Sequence, residues 1–270
     1  MTDFGTFGDV HVDVDDQHVA TAEIRRPPHN YFDIHLIASL AEAFEALDAD
    51  SRCRVILLCS EGKNFCAGAQ LGGRPRGDGE KGDAKPLPIA EPGRHLYDEA
   101  VRLFSTRTPV VAAIQGAAVG GGLGLALMPD FRVAAPEARF SANFARLGFH
   151  QGFGLSETLP DLVGRQRAME LLYTGRRVAG KEALEIGLCD RLVPLDGLRD
   201  EAHAFAVEIA ISAPLAVQSI RETLRGDLPA RIRTATDREK AEQERLQKTE
   251  DFKEGVRAMA ERRDPSFQER

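Results

Sequence analysis

The sequence predicts an α/β fold with a helical C-terminal region, and three observations support this. Short apolar runs alternate with segments of helical period up to about residue 195, a pattern typical of strands joined by helices. The run from Val110 to Ile114 has no polar residue, so we expect a strand buried on both faces. Only helical periods follow residue 195. We therefore divide the chain into a core, 1–195, and a helical region, 196–270.

The first predicted elements are a β-hairpin, indicated by alternating apolar residues, and an α-helix, indicated by apolar residues at helical spacing. Valines alternate with polar residues from Val10 to Val14, and a second apolar run extends from Val19 to Ile24. This predicts a hairpin with one solvated face. Apolar residues then recur every three or four positions from Ile37 to Leu47, which predicts an amphipathic helix. Residues 72–94 hold six glycines and four prolines, so we predict a mobile surface loop.

The glycines that follow the central strand are the first sign of a binding site. Gly116 and the triplet Gly120 to Gly122 separate the strand from an apolar helix. Exposed N–H groups at a helix start attract negative charge, so the segment predicts a backbone anion hole. A tight turn without a ligand explains the same glycines. A dinucleotide fingerprint does not, because Leu125 stands where its last glycine is needed.

The remaining elements are mainly helical. We predict a helix from His95 to Phe104, short strands at 131–134 and 139–144, and a helix from Leu162 to Thr174 that ends at Gly175. Thr249 is expected to cap the last helix. Residues 229–248 carry only a thin apolar stripe, namely Ile232, Ala235 and Leu246. Such a helix would be poorly buried in a monomer, so we expect an oligomer.

Composition excludes several functional classes. The net charge is −7, which argues against nucleic acid as the main partner. No apolar run approaches the roughly 20 residues that span a membrane, and the N-terminus does not resemble a signal peptide. The four cysteines show no metal-binding spacing. We therefore expect no metal, no membrane partner and a cytoplasmic location.

Several motifs together resemble the crotonase superfamily, which contains enoyl-CoA hydratases and isomerases. They are the segments from Phe65 to Ala69, Gln115 to Gly122, Asp130 to Ala134, Ala183 to Pro194 and Thr249 to Gly255. The resemblance implies a crotonase-like spiral of ββα turns with a helical C-terminal trimerisation region. It also implies a homotrimer, or a hexamer built as a dimer of trimers.

The resemblance further implies an acyl-CoA substrate and no tightly bound cofactor, with coenzyme A forming part of the substrate. The N–H groups of Ala69 and Gly121 match the family's oxyanion hole, which stabilises a thioester enolate. A basic residue, Arg262 or Arg263 of a neighbouring subunit, is expected near the CoA phosphates. The residues expected to contact the substrate are Arg26, Pro28, Ala67, Gln70, Leu71, Gly120, Phe144 and Gln151.

The sequence departs from the family where hydratases carry two glutamates. Gly124 and Phe144 stand at those positions, and neither can transfer a proton, which argues against the usual hydration. His150 is the candidate base, although a histidine bonded to backbone in a turn is equally consistent. Glu157 is expected to be a helix N-terminal charge and Asp130 a structural residue.

Three functions remain open. The first is an acyl-CoA enzyme that forms an enolate and directs it to isomerisation or to C–C cleavage of a β-dicarbonyl substrate. The second is a protein that binds acyl-CoA without turnover, and the third is weak residual hydration from the oxyanion hole alone.

Overall fold

The computed structural model describes residues 2–70 and 88–270. Leu71 and most of the predicted loop 72–94 lie outside the described residues, so both assignments stay predictions. The described end of that segment forms a small two-stranded hairpin. The strands are β1 (Thr2–Phe7), β2 (Val10–Val14), β3 (Val19–Ile24), β4 (Val55–Ser60), β5 (Ala90–Glu91), β6 (Arg94–His95), β7 (Val110–Ile114), β8 (Ala117–Val119), β9 (Phe131–Ala134), β10 (Arg139–Ser141), β11 (Arg177–Ala179) and β12 (Arg191–Leu192).

The main sheet has seven strands in the order β1-β2-β3-β4-β7-β9-β12. The first three strands are antiparallel, and every pair from β3 to β12 is parallel. Every residue of β4 and β7 is buried, which confirms the prediction from the unbroken apolar run. The edge strand β1 was not predicted, because its residues Thr2–Phe7 show no clear alternation.

Helices cover both faces of this sheet. They are α1 (Ile34–Asp48), α2 (Leu96–Phe104), α3 (Gly121–Leu127), α4 (Leu155–Val163), α5 (Arg165–Thr174), α6 (Gly180–Glu185), α7 (Leu198–Ala210), α8 (Pro214–Arg225), α9 (Leu228–Leu246) and α10 (Glu250–Glu261). The buried side of α7 packs on alternate residues of β4, β7 and β9, whereas α1, α2 and α3 pack in the larger cluster on the other face.

Two helical expectations need correction. The helix predicted from Leu162 to Thr174 is two helices, α4 and α5, because Gly164 adopts a positive φ of 78° between them. The stripe predicted on α9 is only partly correct, because Ile232 is buried whereas Ala235 and Leu246 are half-buried. Its buried residues are Ile232, Thr236, Glu239 and Gln243, so polar side chains carry much of its packing on α2 and α4.

Unlike α9, the helix α8 exposes its apolar face to solvent. Ile220 is 59% exposed and Leu224 is 81% exposed, and Leu215 near the helix start is 79% exposed. No single helix in residues 2–70 and 88–270 is long and apolar enough to cross a membrane. Only Leu195–Ala210 and Pro214–Arg225 taken together reach that length, with a bend of 101° between them.

A second, three-stranded sheet positions the candidate site. Its order is β11-β10-β8, and β8 leads through Gly120 directly into α3. The last helix, α10, packs on the 3-10 turn Ala145–Leu147 of its own chain. Thr249 accepts a hydrogen bond from the Phe252 N–H at 3.1 Å, which confirms the predicted cap.

Candidate active site

The segment 66–69 lies beside β8 and brings two backbone N–H groups together. The Cys66 N–H donates to the Ala117 carbonyl at 2.9 Å, and the Val119 N–H donates to the Cys66 carbonyl at 3.1 Å. The two backbones are so close that a Cβ added at Gly68 would lie 2.5 Å from the Val119 oxygen and 3.8 Å from the Gly121 nitrogen. Glycine at position 68 therefore allows Ala69 to lie near the start of α3.

The two amides at this junction are free to bind a ligand. The Gly120 N–H is used, because it donates to the Ser141 carbonyl at 2.8 Å. Gly121 is the first residue of α3, and such a residue has no acceptor within its helix. Neither its N–H nor that of Ala69 has a hydrogen-bond partner among the described residues, and both residues line a large cavity.

This cavity has a volume of about 970 Å³, which matches the upper range for small-molecule sites. Much of its wall is apolar and aromatic. This part of the lining consists of Phe32, Leu96, Tyr97, Phe144, Phe149 and Phe153. No aspartate or glutamate is present among the described lining residues. The cavity can hold an apolar group beside two N–H donors, and the described wall provides no carboxylate to move a proton.

The outer part of the cavity is positively charged, in contrast to the negative chain. Three of its lining residues, Lys63, Arg139 and Arg177, have no ion-pair partner among the described residues. Arg139 and Arg177 lie on neighbouring strands, because β10 pairs with β11 so that Ser141 faces Arg177. We name these three residues the cation triad. Arg263 also lines the cavity, but it pairs with Glu254 and Glu261.

Four of the predicted substrate contacts line this cavity, and three do not. Ala67, Gln70, Gly120 and Phe144 line it together with the amide pair. Arg26, Pro28 and Gln151 are not among the lining residues. The Arg26 guanidinium binds Asp9 and Asp33, the Pro28 carbonyl accepts a hydrogen bond from Asn64, and the Gln151 side chain donates to Ser156. Leu71 lies outside the described residues.

His150 does not line the cavity either. Its Nδ1 lies 2.9 Å from the Gln151 carbonyl oxygen, so the neutral ring carries its proton on Nδ1 and presents a free lone pair on Nε2. The His150 carbonyl accepts a hydrogen bond from Gln243 Nε2 at 2.9 Å. This geometry agrees with a turn histidine bonded to backbone, and it leaves Nε2 in the tautomer that a base requires.

His95 and Tyr97 line the apolar end of the cavity, but neither is free to act as a base. His95 caps α2: its Nδ1 accepts from the Tyr97 N–H at 3.1 Å, so its ring proton is on Nε2. Burial and then Lys240 lower the pKa of His95. The Tyr97 hydroxyl donates to Gln243 Oε1 at 2.9 Å, and burial raises its pKa.

Glu157 and Asp130 are structural, as expected. Glu157 lies in the first turn of α4 and pairs with Arg231. Asp130 accepts from the Val110 N–H at 2.8 Å and pairs with Arg221 and Arg225.

Sequence reasoning missed Phe153, Phe149 and the cation triad. The triad comes from three separate segments, so no local pattern reveals it. Phe153 had one signal, since it interrupts a glycine-rich turn between Gly152 and Gly154. Of the two basic residues that the resemblance implied near the CoA phosphates of a neighbouring subunit, Arg262 and Arg263, only Arg263 is among the described residues that line the cavity of its own chain, and a role across subunits stays a prediction.

The chain is similar to known proteins over most of its length. The family model described as "Enoyl-CoA hydratase/isomerase" matches residues 15–270. A Bacillus subtilis (strain 168) protein named "Probable enoyl-CoA hydratase" is 33% identical over 93% of this chain and 96% of its own. The 1,2-epoxyphenylacetyl-CoA isomerase of Escherichia coli (strain K12) is 31% identical, with coverage of 92% and 94%. The crystal structure of an enoyl-CoA hydratase/isomerase from Pseudoalteromonas atlantica T6c has a TM-score of 0.83 and 30% identity, covering 96% of this chain and 100% of that chain.

Proposed function

The chain belongs to the enoyl-CoA hydratase/isomerase family of the crotonase superfamily, and from this premise we propose that it stabilises an acyl-CoA enolate between the N–H groups of Ala69 and Gly121. The observation that carries the proposal is this pair of unpartnered amides in one cavity whose lining also includes several aromatic rings and the cation triad. An acyl-CoA offers matching groups, namely an apolar acyl group, a thioester carbonyl and a polyanionic nucleotide.

The amide pair supplies most of the proposed catalysis. When a proton leaves the carbon next to a thioester carbonyl, negative charge develops on the carbonyl oxygen. Fixed donors aimed at such an oxygen are commonly worth about 3–4 kcal/mol each. The aromatic wall strengthens this effect, because Phe32 and Phe153 exclude water and keep the local dielectric low.

The cation triad is proposed to bind the CoA phosphates. Phosphate contacts of this kind weaken as salt rises. Changing Lys63 to Ala should lower the affinity for free CoA by roughly 3–10-fold at low salt. Arg238→Ala is the matched control, because Arg238 is an exposed residue of α9 outside the cavity. Equal CoA affinity in the Lys63 variant and wild type would contradict this role.

We propose that the reaction is not the addition of water by two carboxylates, since no described lining residue is acidic. His150 Nε2 is the proposed proton acceptor. A second candidate function, an acyl-CoA-binding protein without turnover, is favoured by one observation: His150 does not line the cavity. The two candidates differ in whether the α-proton of a bound thioester exchanges with solvent.

The experiment is therefore exchange in deuterated water. Butyryl-CoA is incubated with the protein and its mass is followed, beside His150→Asn, which keeps a donor for the Gln151 carbonyl. Uptake of deuterium that His150→Asn abolishes supports the enzyme with His150 as base. Binding by calorimetry without uptake supports the binding protein. No binding of butyryl-CoA or free CoA would refute both, and a mass gain of one water on crotonyl-CoA would refute the argument against hydration.

The assembly is also a proposal. We propose a homotrimer or hexamer that covers the exposed apolar residues of α8, including Leu215, Ile220 and Leu224, because such patches mark interaction surfaces. Sedimentation at micromolar protein should give a trimer or a multiple of it. Leu224→Asp should shift the mass toward the monomer, and Glu222→Ala on the same helix should not. The cytoplasmic location stays a prediction.

A further inference from the structure

Phe153 fills the space beside α3 at the base of the cavity. A Cβ added at Gly124 would lie 2.6 Å from the Phe153 Cβ and 3.0 Å from its Cγ and Cδ1. No side chain at position 124 fits beside Phe153 as it is placed here. Phe153 is fully buried, yet it is among the residues that line the cavity. The space left by the small Gly124 on α3 is thus filled by the large Phe153 of the turn 148–154.

The same ring continues the wall under the amide pair. Its centroid lies 5.8 Å from that of Phe32, and Phe32 itself is so close to Gly121 that an added Cβ would lie 2.2 Å from its Cζ. Phe32 and Phe153 therefore form one apolar surface that runs from the amide pair to the position of Gly124. A group extending from a thioester carbonyl in this direction meets the Phe153 ring.

The turn holds Phe153 in place against its own backbone preference. Its φ is 61°, a left-handed conformation that bulky residues rarely adopt. Gly152 before it admits no Cβ, because Tyr97 Oη would lie 1.9 Å away. The Gly154 N–H after it donates to Glu239 at 2.9 Å. Fixed contacts on both sides thus hold an unfavourable conformation, which is typical of a residue whose position serves the site.

We propose that Phe153 sets the length of the acyl group that the cavity accepts, by closing the chamber beside Gly124. This inference rests on the proposed binding of acyl-CoA. It makes the turn 148–154 a determinant of specificity through the position of one ring.

The test measures the affinity for butyryl-, hexanoyl- and octanoyl-CoA by calorimetry, in wild type and in Phe153→Ala. These saturated thioesters cannot be hydrated, so binding alone is followed. Each buried methylene is worth roughly fourfold in affinity. Phe153→Ala should therefore bind octanoyl-CoA at least about tenfold tighter than wild type does, while free CoA binds equally to both.

Phe104→Ala is the matched control. Phe104 packs on Phe153 with a centroid distance of 6.4 Å, but it is not among the residues that line the cavity. The Phe104→Ala variant removes a ring of the same size from the same core and should leave the dependence of affinity on acyl-chain length unchanged. If Phe153→Ala does not fold, Phe153→Gly replaces it, because glycine adopts a positive φ freely.

The outcomes separate this inference from the proposed function. A wild type that binds no thioester and no CoA refutes the proposed function. A wild type that binds butyryl-CoA, with the same chain-length profile in both Phe153 variants, overturns only the inference. A change of profile in Phe104→Ala equal to that in Phe153→Ala also overturns it, since a general loosening of the core then explains both.

Discussion

Glu239→Ala should destabilise the fold strongly, because the Glu239 side chain accepts three hydrogen bonds at the start of another helix. The side chain is fully buried on α9. Its carboxylate accepts from the Gly154 N–H at 2.9 Å, the Ser156 N–H at 3.0 Å and the Ser156 hydroxyl at 2.7 Å. Gly154 precedes α4 and has no side chain to cap it, so Glu239 provides the missing acceptor from another helix.

The magnitude follows from the groups left behind. Alanine leaves the buried Gly154 N–H and the half-buried Ser156 N–H without an acceptor, and a buried donor left unpaired costs about 1–3 kcal/mol. The Ser156 hydroxyl can rotate to another partner and adds little. Removing a buried carboxylate offsets part of the loss, because burial opposes its charged form. We expect a net loss of about 2–4 kcal/mol, a large share of typical native stability.

The assay is equilibrium unfolding in urea, followed by far-UV circular dichroism because the chain has no tryptophan. The protein concentration is held fixed, since assembly shifts apparent stability. Glu242→Ala is the control on the same helix, because Glu242 pairs with Arg245 on the surface. The urea midpoint of this variant should equal that of wild type. A Glu239→Ala midpoint equal to that of Glu242→Ala would refute the reasoning.

The pH dependence provides a second check on Glu239. Burial raises its pKa despite the three donors. A raised folded-state pKa means that the stability contributed by the group is fully present below its unfolded pKa of about 4.3 and is lost as pH rises through the folded pKa. The difference in stability between wild type and Glu239→Ala should therefore shrink as pH increases above that value. A stability difference that grows with pH would contradict the upward shift of the Glu239 pKa.

Three further predictions concern the core and the cavity. Gly124→Glu should lower the thermal midpoint, because overpacking against Phe153 costs about 1–3 kcal/mol or more, and it should not create hydration of crotonyl-CoA; an active, stable variant would contradict the clash. Burial lowers the pKa of His95. Its contribution to stability is therefore present above about pH 6.5 and is lost as pH falls toward the folded pKa. The urea midpoint of His95→Asn, which retains a cap, should fall less from pH 7 to pH 5 than the midpoint of wild type. Burial raises the pKa of the Cys66 thiol to about 12, so this cysteine should react with a disulfide reagent at pH 8 only after unfolding, and labelling of the native protein would argue against that burial.

Local periodicity was sufficient for the elements that the chain encodes within a few residues. The unbroken run Val110–Ile114 is a fully buried strand, and the helix predicted around Ile37 and Leu47 is α1. The edge strand β1 was missed because an exposed strand needs no alternation of apolar residues. The split at Gly164 was missed because its positive φ is a backbone choice that glycine permits but does not require.

The sequence by itself determined the family, and it predicted the amide pair and the replacement of both glutamates, because glycines and motif residues are local signals. Only the tertiary structure decided what surrounds them. It brought the cation triad to one cavity from three separate segments, left His150 outside the described lining of that cavity, and set Phe153 against Gly124. These contacts depend on how helices and sheets pack, and packing joins residues that are far apart in the chain. For this reason a pattern of a few residues could predict the amide pair but not the cavity wall around it.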